Sequence, residues 1–266
     1  PEQVDSINAP AAPAAISELP DQAYYVSPTG SDVNSGTADA PWRTLARAAV
    51  SVTPGATVVL YGGTYADELI LTVSGTAVAP INFMAYPGQT PIIDPSVQVT
   101  GWTRLGTSAV WSAPFTPGPG FSSNLGTDPA SPMTSCPDDN PLSRQAHGFV
   151  SVDRLPDQAH WLAPQCVSDP STLPWGSWAR LPGGPLYVRL ADDSSANEHS
   201  LFVANGEHAV LIWTASYVTL RNLTLRLTGQ TGVESWGGSE HDVTLDGLDV
   251  SLTHLEAVRT AFGNMN

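Results

Sequence analysis

Four carboxylates in the C-terminal part of the sequence, Glu234, Asp246, Asp249 and Glu256, are of the type and spacing that could break a glycosidic bond. That chemistry needs two carboxyl groups at a set separation, one donating a proton and the other attacking or activating water. The competing reading is that they are acidic residues on solvated turns of an acidic protein. Three tryptophans, Trp161, Trp175 and Trp178, have faces that suit the apolar faces of sugars, and packing is the alternative use for each. Asp32, Asn34 and Asp39 crowd one loop in the manner of a calcium site, but the ligand spacing and closing glutamate of an EF-hand are missing. Turn formation and helix capping account for that loop better. Cys136 and Cys166 are the two cysteines of the chain. In an oxidising compartment they would form one disulfide worth about 3 kcal/mol, and two free thiols are the other state. Two sulfurs without a CxxC or a nearby histidine pair do not make a zinc site. His147, His160, His199 and His208 show no metal-binding spacing. There is no phosphate loop, no dinucleotide fingerprint and no serine-hydrolase elbow, so no metal and no organic cofactor is expected.

Composition narrows the partners. Charged residues are 13% of the 266, the formal charge is -15, and all ten basic residues are arginine. Such a surface repels nucleic acid and anionic lipid, which are held by basic patches. No run of 18 apolar residues is present, so no membrane span is expected. Residues 1–22, rich in Ala and Pro, read as a flexible N-terminal linker left after processing, which implies an extracellular or cell-surface protein.

The elements that must position these groups are short strands. Gly (23) and Pro (24) are abundant, as in chains with many turns. Strands are expected at 23–27, 56–61, 69–73, 81–86 and 91–94, with one short amphipathic helix where Trp42, Leu45, Ala49 and Val50 recur after Pro41. The segment from Tyr217 to Thr228 then repeats from Asp242 to Thr253 at an offset of 25. Val218/Val243, Leu220/Leu245, Leu223/Leu248, Leu225/Val250 and Leu227/Leu252 match, and Val233/Val258 extends the register. Period-2 alternation inside a fixed repeat means parallel strands stacked as coils, about 4.8 Å apart. The same offset sets Arg221 beneath Asp246 and Glu234 beneath Arg259, as outward-facing ion pairs.

Tyr-Tyr-Val-Ser-Pro-x-Gly-x-Asp-x-Asn-x-Gly-Thr at 24–37, Pro-Trp-Arg-Thr-Leu-x-x-Ala from Pro41, and Pro-Gly-x-x-Val-x-Leu-x-x-Gly-x-Tyr from Pro54 resemble the opening of secreted bacterial right-handed parallel β-helix proteins of pectate-lyase-like fold. The likeness runs through residues 23–112 and 176–262. It implies an all-β solenoid with a short N-terminal capping helix, and relatives that include polysaccharide lyases. Such lyases abstract a proton beside a uronate, often with a lysine or arginine base and with calcium or arginine neutralising the carboxylate. This chain lacks lysine, so Arg259 with His254, Glu256 and Glu234 is the nearest constellation, and calcium (Ca2+) the one cation the resemblance leaves room for.

Two features interrupt the repeat. Residues 113–175 hold both cysteines and no sustained periodicity, and read as a long loop excursion pinned by the disulfide. The sequence also stops in mid-coil at Gly263–Asn266, which suggests truncation with further coils beyond, residues 23–266 forming one domain. The expected function is an extracellular carbohydrate-active β-helix, lyase-like or hydrolase-like, with a polysaccharide or cell-surface glycan as partner. The alternative is a non-catalytic adhesin or a structural subunit that self-assembles through the open solenoid end.

Overall fold

Alternating apolar residues in the 25-residue repeat dictate strands with one face turned inward, and a computed structural model shows where they stack. It describes residues 19–20, 22–116, 150–153, 161–165, 167–180, 184–229, 231–253, 256–260 and 263–265. Three all-parallel sheets run along the solenoid. The first is ordered Tyr24–Val26, Thr57–Leu60, Ile81–Ala85, Val218–Arg221, Glu240–Asp246, Gly263–Met265. The second is Gly63–Tyr65, Pro91–Ile93, Thr224–Leu225, Asp249–Val250, and the third Leu69–Leu71, His208–Trp213, Thr231–Trp236, Glu256–Thr260. Val218 pairs with Val243, Leu220 with Leu245, Leu225 with Val250 and Val233 with Val258, in the register set by the repeat.

Val58, Leu60, Ile81, Phe83, Leu220 and Val233 are fully buried between the sheets. The corners repeat as faithfully as the core. Tyr217 and Asp242 (φ 54° and 54°), Asn222 and Gly247 (55° and 62°), and Leu227 and Leu252 (49° and 59°) turn the chain through the left-handed region. Only asparagine, aspartate and glycine occupy that region cheaply, so the stacked core must hold Tyr217 and Leu227 there.

One end of the core is covered by the helix Leu45–Ser51, which buries Leu45, Ala48 and Ala49. Its N-cap Thr44 accepts from the Arg47 N–H at 3.0 Å. Asp32 holds this start in place, accepting from the N–H groups of Arg43 and Thr44 and from the Thr44 hydroxyl at 2.8–3.0 Å. Partial desolvation pushes the Asp32 carboxyl up, but these hydrogen bonds outweigh it and leave the pKa below the ordinary carboxylate value.

Between Pro91–Ile93 and His208–Trp213 the coil is opened by a large insert. Its described strands form one eight-stranded sheet spanning residues 96–204, ordered Ser96–Val99, Leu201–Ala204, Val150–Val152, Trp161–Pro164, Ser177–Arg180, Leu186–Arg189, Trp111–Ala113, Thr103–Arg104. All neighbours are antiparallel except Trp161–Pro164 with Ser177–Arg180. The insert has its own core, including Trp102, Leu162, Trp178, Val188 and Val203. The expectation of a loop over 113–175 is therefore corrected: the interruption begins earlier, ends later, and contributes strands to one sheet. Its strands hold two to four residues, too few for alternation to show. The cysteines, Cys136 and Cys166, lie outside the described residues, as does most of the 1–22 segment. The insert leaves and returns through one stem, where Val99 pairs with Leu201 and Ser96 with Ala204. Asn205 and Gly206 donate to Pro95 O at 2.9 and 3.0 Å, so the coil closes as though nothing had been added.

Candidate functional site

Strand alternation sets Leu211 and Trp213 on the same face of one strand of the third sheet, and Glu234 and Trp236 on the same face of the next. Leu211 pairs with Glu234, Glu234 with Arg259, and Trp213 with Trp236. The result is a column of two half-exposed tryptophans (45% and 40%) beside a column that ends in an ion pair.

Glu234 keeps the expected register with Arg259 but is buried. It is 4% exposed, because its neighbours close over it. Thr231 donates from Oγ1 to Glu234 Oε2 at 3.2 Å. His208 Nδ1 lies 3.2 Å from the same oxygen and 2.7 Å from Thr231 Oγ1. Arg259 Nη1 approaches Glu234 Oε1 at 3.9 Å. On the other side of the imidazole, Nε2 is 3.7 Å from Glu207 Oε2, and the backbone N–H of His208 donates to Glu68 Oε1 at 2.9 Å. The buried imidazole thus lies between two carboxylates, in close contact with Glu234 and farther from Glu207. Burial pushes the Glu68 carboxyl above its ordinary pKa. The His208 N–H works against that shift, and the charges of Glu207 and Asp67 reinforce it.

The residues singled out in the sequence fare unequally. Glu234 and Arg259 are brought together. Glu256 is on the Arg259 strand, exposed, in register with Thr231. His254 lies outside the described residues. Trp178 is buried in the insert core (2% exposed) and offers no face to a sugar. Trp161 packs with Phe202, Ala204, Leu227 and Leu252 where insert meets solenoid, and Trp175 is 69% exposed. Arg221 and Asp246 pair at 2.8 Å in the expected register, worth about 0–1 kcal/mol at that exposure. His208, Thr231, Glu207, Glu68, Trp213 and Trp236 were missed. The signal was there in Val210/Val233 and Trp213/Trp236, but at an offset of 23. Among the described residues no group of three His, Cys, Asp or Glu is arranged to hold a metal ion.

Comparison with known proteins adds the family context. Residues 24–113 match the family model described as Pel9A-like, right-handed β-helix region. Over that stretch the chain is similar in fold to pectate-lyase-like right-handed β-helix proteins. It is 47% identical over 72 residues to pectate lyase PEL9 of Emericella nidulans, covering 26% of this chain and 18% of that one. Over 69 residues it is 45% identical to the uncharacterized protein YwoF of Bacillus subtilis, covering 26% and 15%. The chain thus aligns with less than a fifth of either relative. A solved complex of XylC with xylose superposes on 83% of this chain and 40% of its own, with a TM-score of 0.62 and 14% identity, a likeness of fold. The stretch matched by the family model, the cap and first coils, ends before His208 and the tryptophan column.

Proposed function

We propose that this is an extracellular carbohydrate-active protein that binds a polysaccharide along the outer face of the third sheet. Glu234 and His208 act in it as a proton-transfer pair for lyase or hydrolase chemistry. The observation that carries this reading is the in-register pair Trp213/Trp236, half exposed on adjacent coils beside the buried Glu234–His208 contact. Sugar rings stack on such faces, and a polymer lying along the coils would bring its backbone past the carboxylates. The 47% identity of a 72-residue segment to a pectate lyase supports a polysaccharide as partner. Secretion would go with a Cys136–Cys166 disulfide, detectable as two fewer titratable thiols in denaturant before reduction than after.

The test is a panel of polygalacturonate, methyl-esterified pectin and xylan, with and without calcium. Binding is followed by titration calorimetry, cleavage by unsaturated ends (lyase) and reducing ends (hydrolase). Trp213→Ala and Trp236→Ala should each weaken binding about 3- to 10-fold, the worth of one aromatic contact. Glu234→Gln should abolish turnover while sparing affinity. Binding that ignores both tryptophan variants would sink this site. Binding without any cleavage, unaffected by Glu234→Gln, would favour the adhesin reading instead.

A further inference from the structure

The insert carries a second constellation, outside the third sheet. Ser194 Oγ lies 3.0 Å from His199 Nε2, and His199 Nδ1 lies 2.8 Å from Asp153 Oδ2. With Nδ1 protonated, the imidazole donates to Asp153 and its free Nε2 accepts the Ser194 hydroxyl proton. This is the order of contacts that makes a serine nucleophilic, and such sets are recognised by geometry rather than by position in the chain. Each member is separately fixed. Asp153 accepts from the Ser200 N–H through Oδ1 at 2.7 Å. Asp192 Oδ1 accepts from the Ser194 N–H at 3.0 Å. Arg189 grips Asp193, the residue before the serine, at 2.7 Å. Asp153 and Asp193 both sit at φ 57°, so sharp turns present the acid and the serine.

Of the three, His199 also lies in the wall of a cavity of about 410 Å³, with Gln98, Thr100, Trp102, Asn197 and Ser200 around it, and Ser194 stands at 3.0 Å from its Nε2 outside that lining. That volume falls within the range of small-molecule sites. Among the described residues its lining includes Glu198 and no Lys or Arg, a wall that suits a neutral ligand better than an anionic one.

We propose that Ser194, His199 and Asp153 form the catalytic set of an esterase that removes short acyl groups from a neutral carbohydrate. The carbohydrate part of that statement rests on the function proposed above. Ser194 Oγ attacks the ester carbonyl carbon while its proton passes to His199 Nε2. The C–O bond to the sugar then breaks, and the departing sugar oxygen takes that proton, leaving the acyl group on Ser194. Water attacks the acyl-serine carbonyl, giving its proton to His199. The serine leaves with that proton, and one ester plus one water has become one carboxylic acid and one alcohol. Asp153 keeps the imidazole in the required tautomer and offsets its positive charge.

A fluorophosphonate probe and p-nitrophenyl acetate test the triad without any sugar. The intact chain should gain one phosphonyl mass, mapped by peptide sequencing to Ser194, and should hydrolyse the aryl ester. Ser194→Ala should lose both the adduct and the turnover with its thermal unfolding curve unchanged. Asp153→Asn should slow hydrolysis by on the order of 10⁴-fold. Absence of an adduct on Ser194, or hydrolysis that survives Ser194→Ala, overturns the proposal. An O-acetylated neutral xylo-oligosaccharide tests the substrate. Its deacetylation supports the proposal in full, whereas aryl-ester turnover without it overturns the carbohydrate assignment and leaves the triad standing.

Discussion

Glu68 sits where the third sheet meets the root of the insert, its carboxyl lying against Gly206, where a side chain would collide with it. Burial raises its pKa above the ordinary 4.5, despite the His208 N–H. Asp67 is raised as well, with burial again the largest cause. Between the ordinary and the raised value, the folded protein holds a proton that the unfolded chain has released. The stability linked to Glu68 is thus fully present below pH 4.5 and is lost as pH rises through the folded value. Asp32, Asp192 and Asp193 have lowered values and contribute the opposite slope, so the readout is the difference between parent and variant. Glu68→Gln should flatten the fall in melting temperature between about pH 4.5 and neutrality. Equal slopes in the two proteins would show that Glu68 is ionised throughout. At this scale the sequence offered half of the site. Glu234 and Arg259 were legible because they obey the 25-residue offset. His208 was not, because its partner Thr231 is 23 residues away, and of its carboxylate neighbours only Glu207 is adjacent while Glu68 and Glu234 come from two other places in the chain.

Leu220 shows what the repeat does as an element. It pairs with Phe83 on one side and Leu245 on the other, and none of its surface reaches solvent. Its neighbour Thr219, paired with Asn82 and Thr244, points the other way. Leu220→Ala should cost about 2–5 kcal/mol, since a stacked coil cannot collapse around the void. Thr219→Ala should stay within about 0.5 kcal/mol. Urea unfolding of the two variants checks the pair, and equal losses would mean that residue 219 is as buried as residue 220. The same alternation made these coils readable in advance. The insert was unreadable for the converse reason. The strand Ser96–Val99 finds its partner at Leu201–Ala204, more than a hundred residues on, with no repeat to announce it. Its tryptophans were offered to sugars because sequence cannot tell a core aromatic from a surface one. Ser194, His199 and Asp153 are likewise brought together only by the insert's turns, 46 residues separating the acid from the imidazole.

Across the whole molecule the dominant physical fact is a formal charge of -15 carried without a single lysine. A polyanionic chain such as polygalacturonate must approach against that field, helped locally by Arg259 on the third sheet and Arg221 on the first, each already paired with a carboxylate. Long-range repulsion is screened over about 10 Å at 0.1 M salt, whereas stacking on Trp213 and Trp236 does not depend on ionic strength. Binding of polygalacturonate should therefore strengthen between 20 and 200 mM NaCl, the reverse of what basic proteins do with polyanions. Binding of a neutral xylan should hold constant across the same range. Calorimetric titrations at four salt concentrations separate the cases. Polygalacturonate affinity that falls with salt would mean that a local cluster of arginines, not the net charge, governs the encounter, and the search for the anion's path should then begin at Arg259.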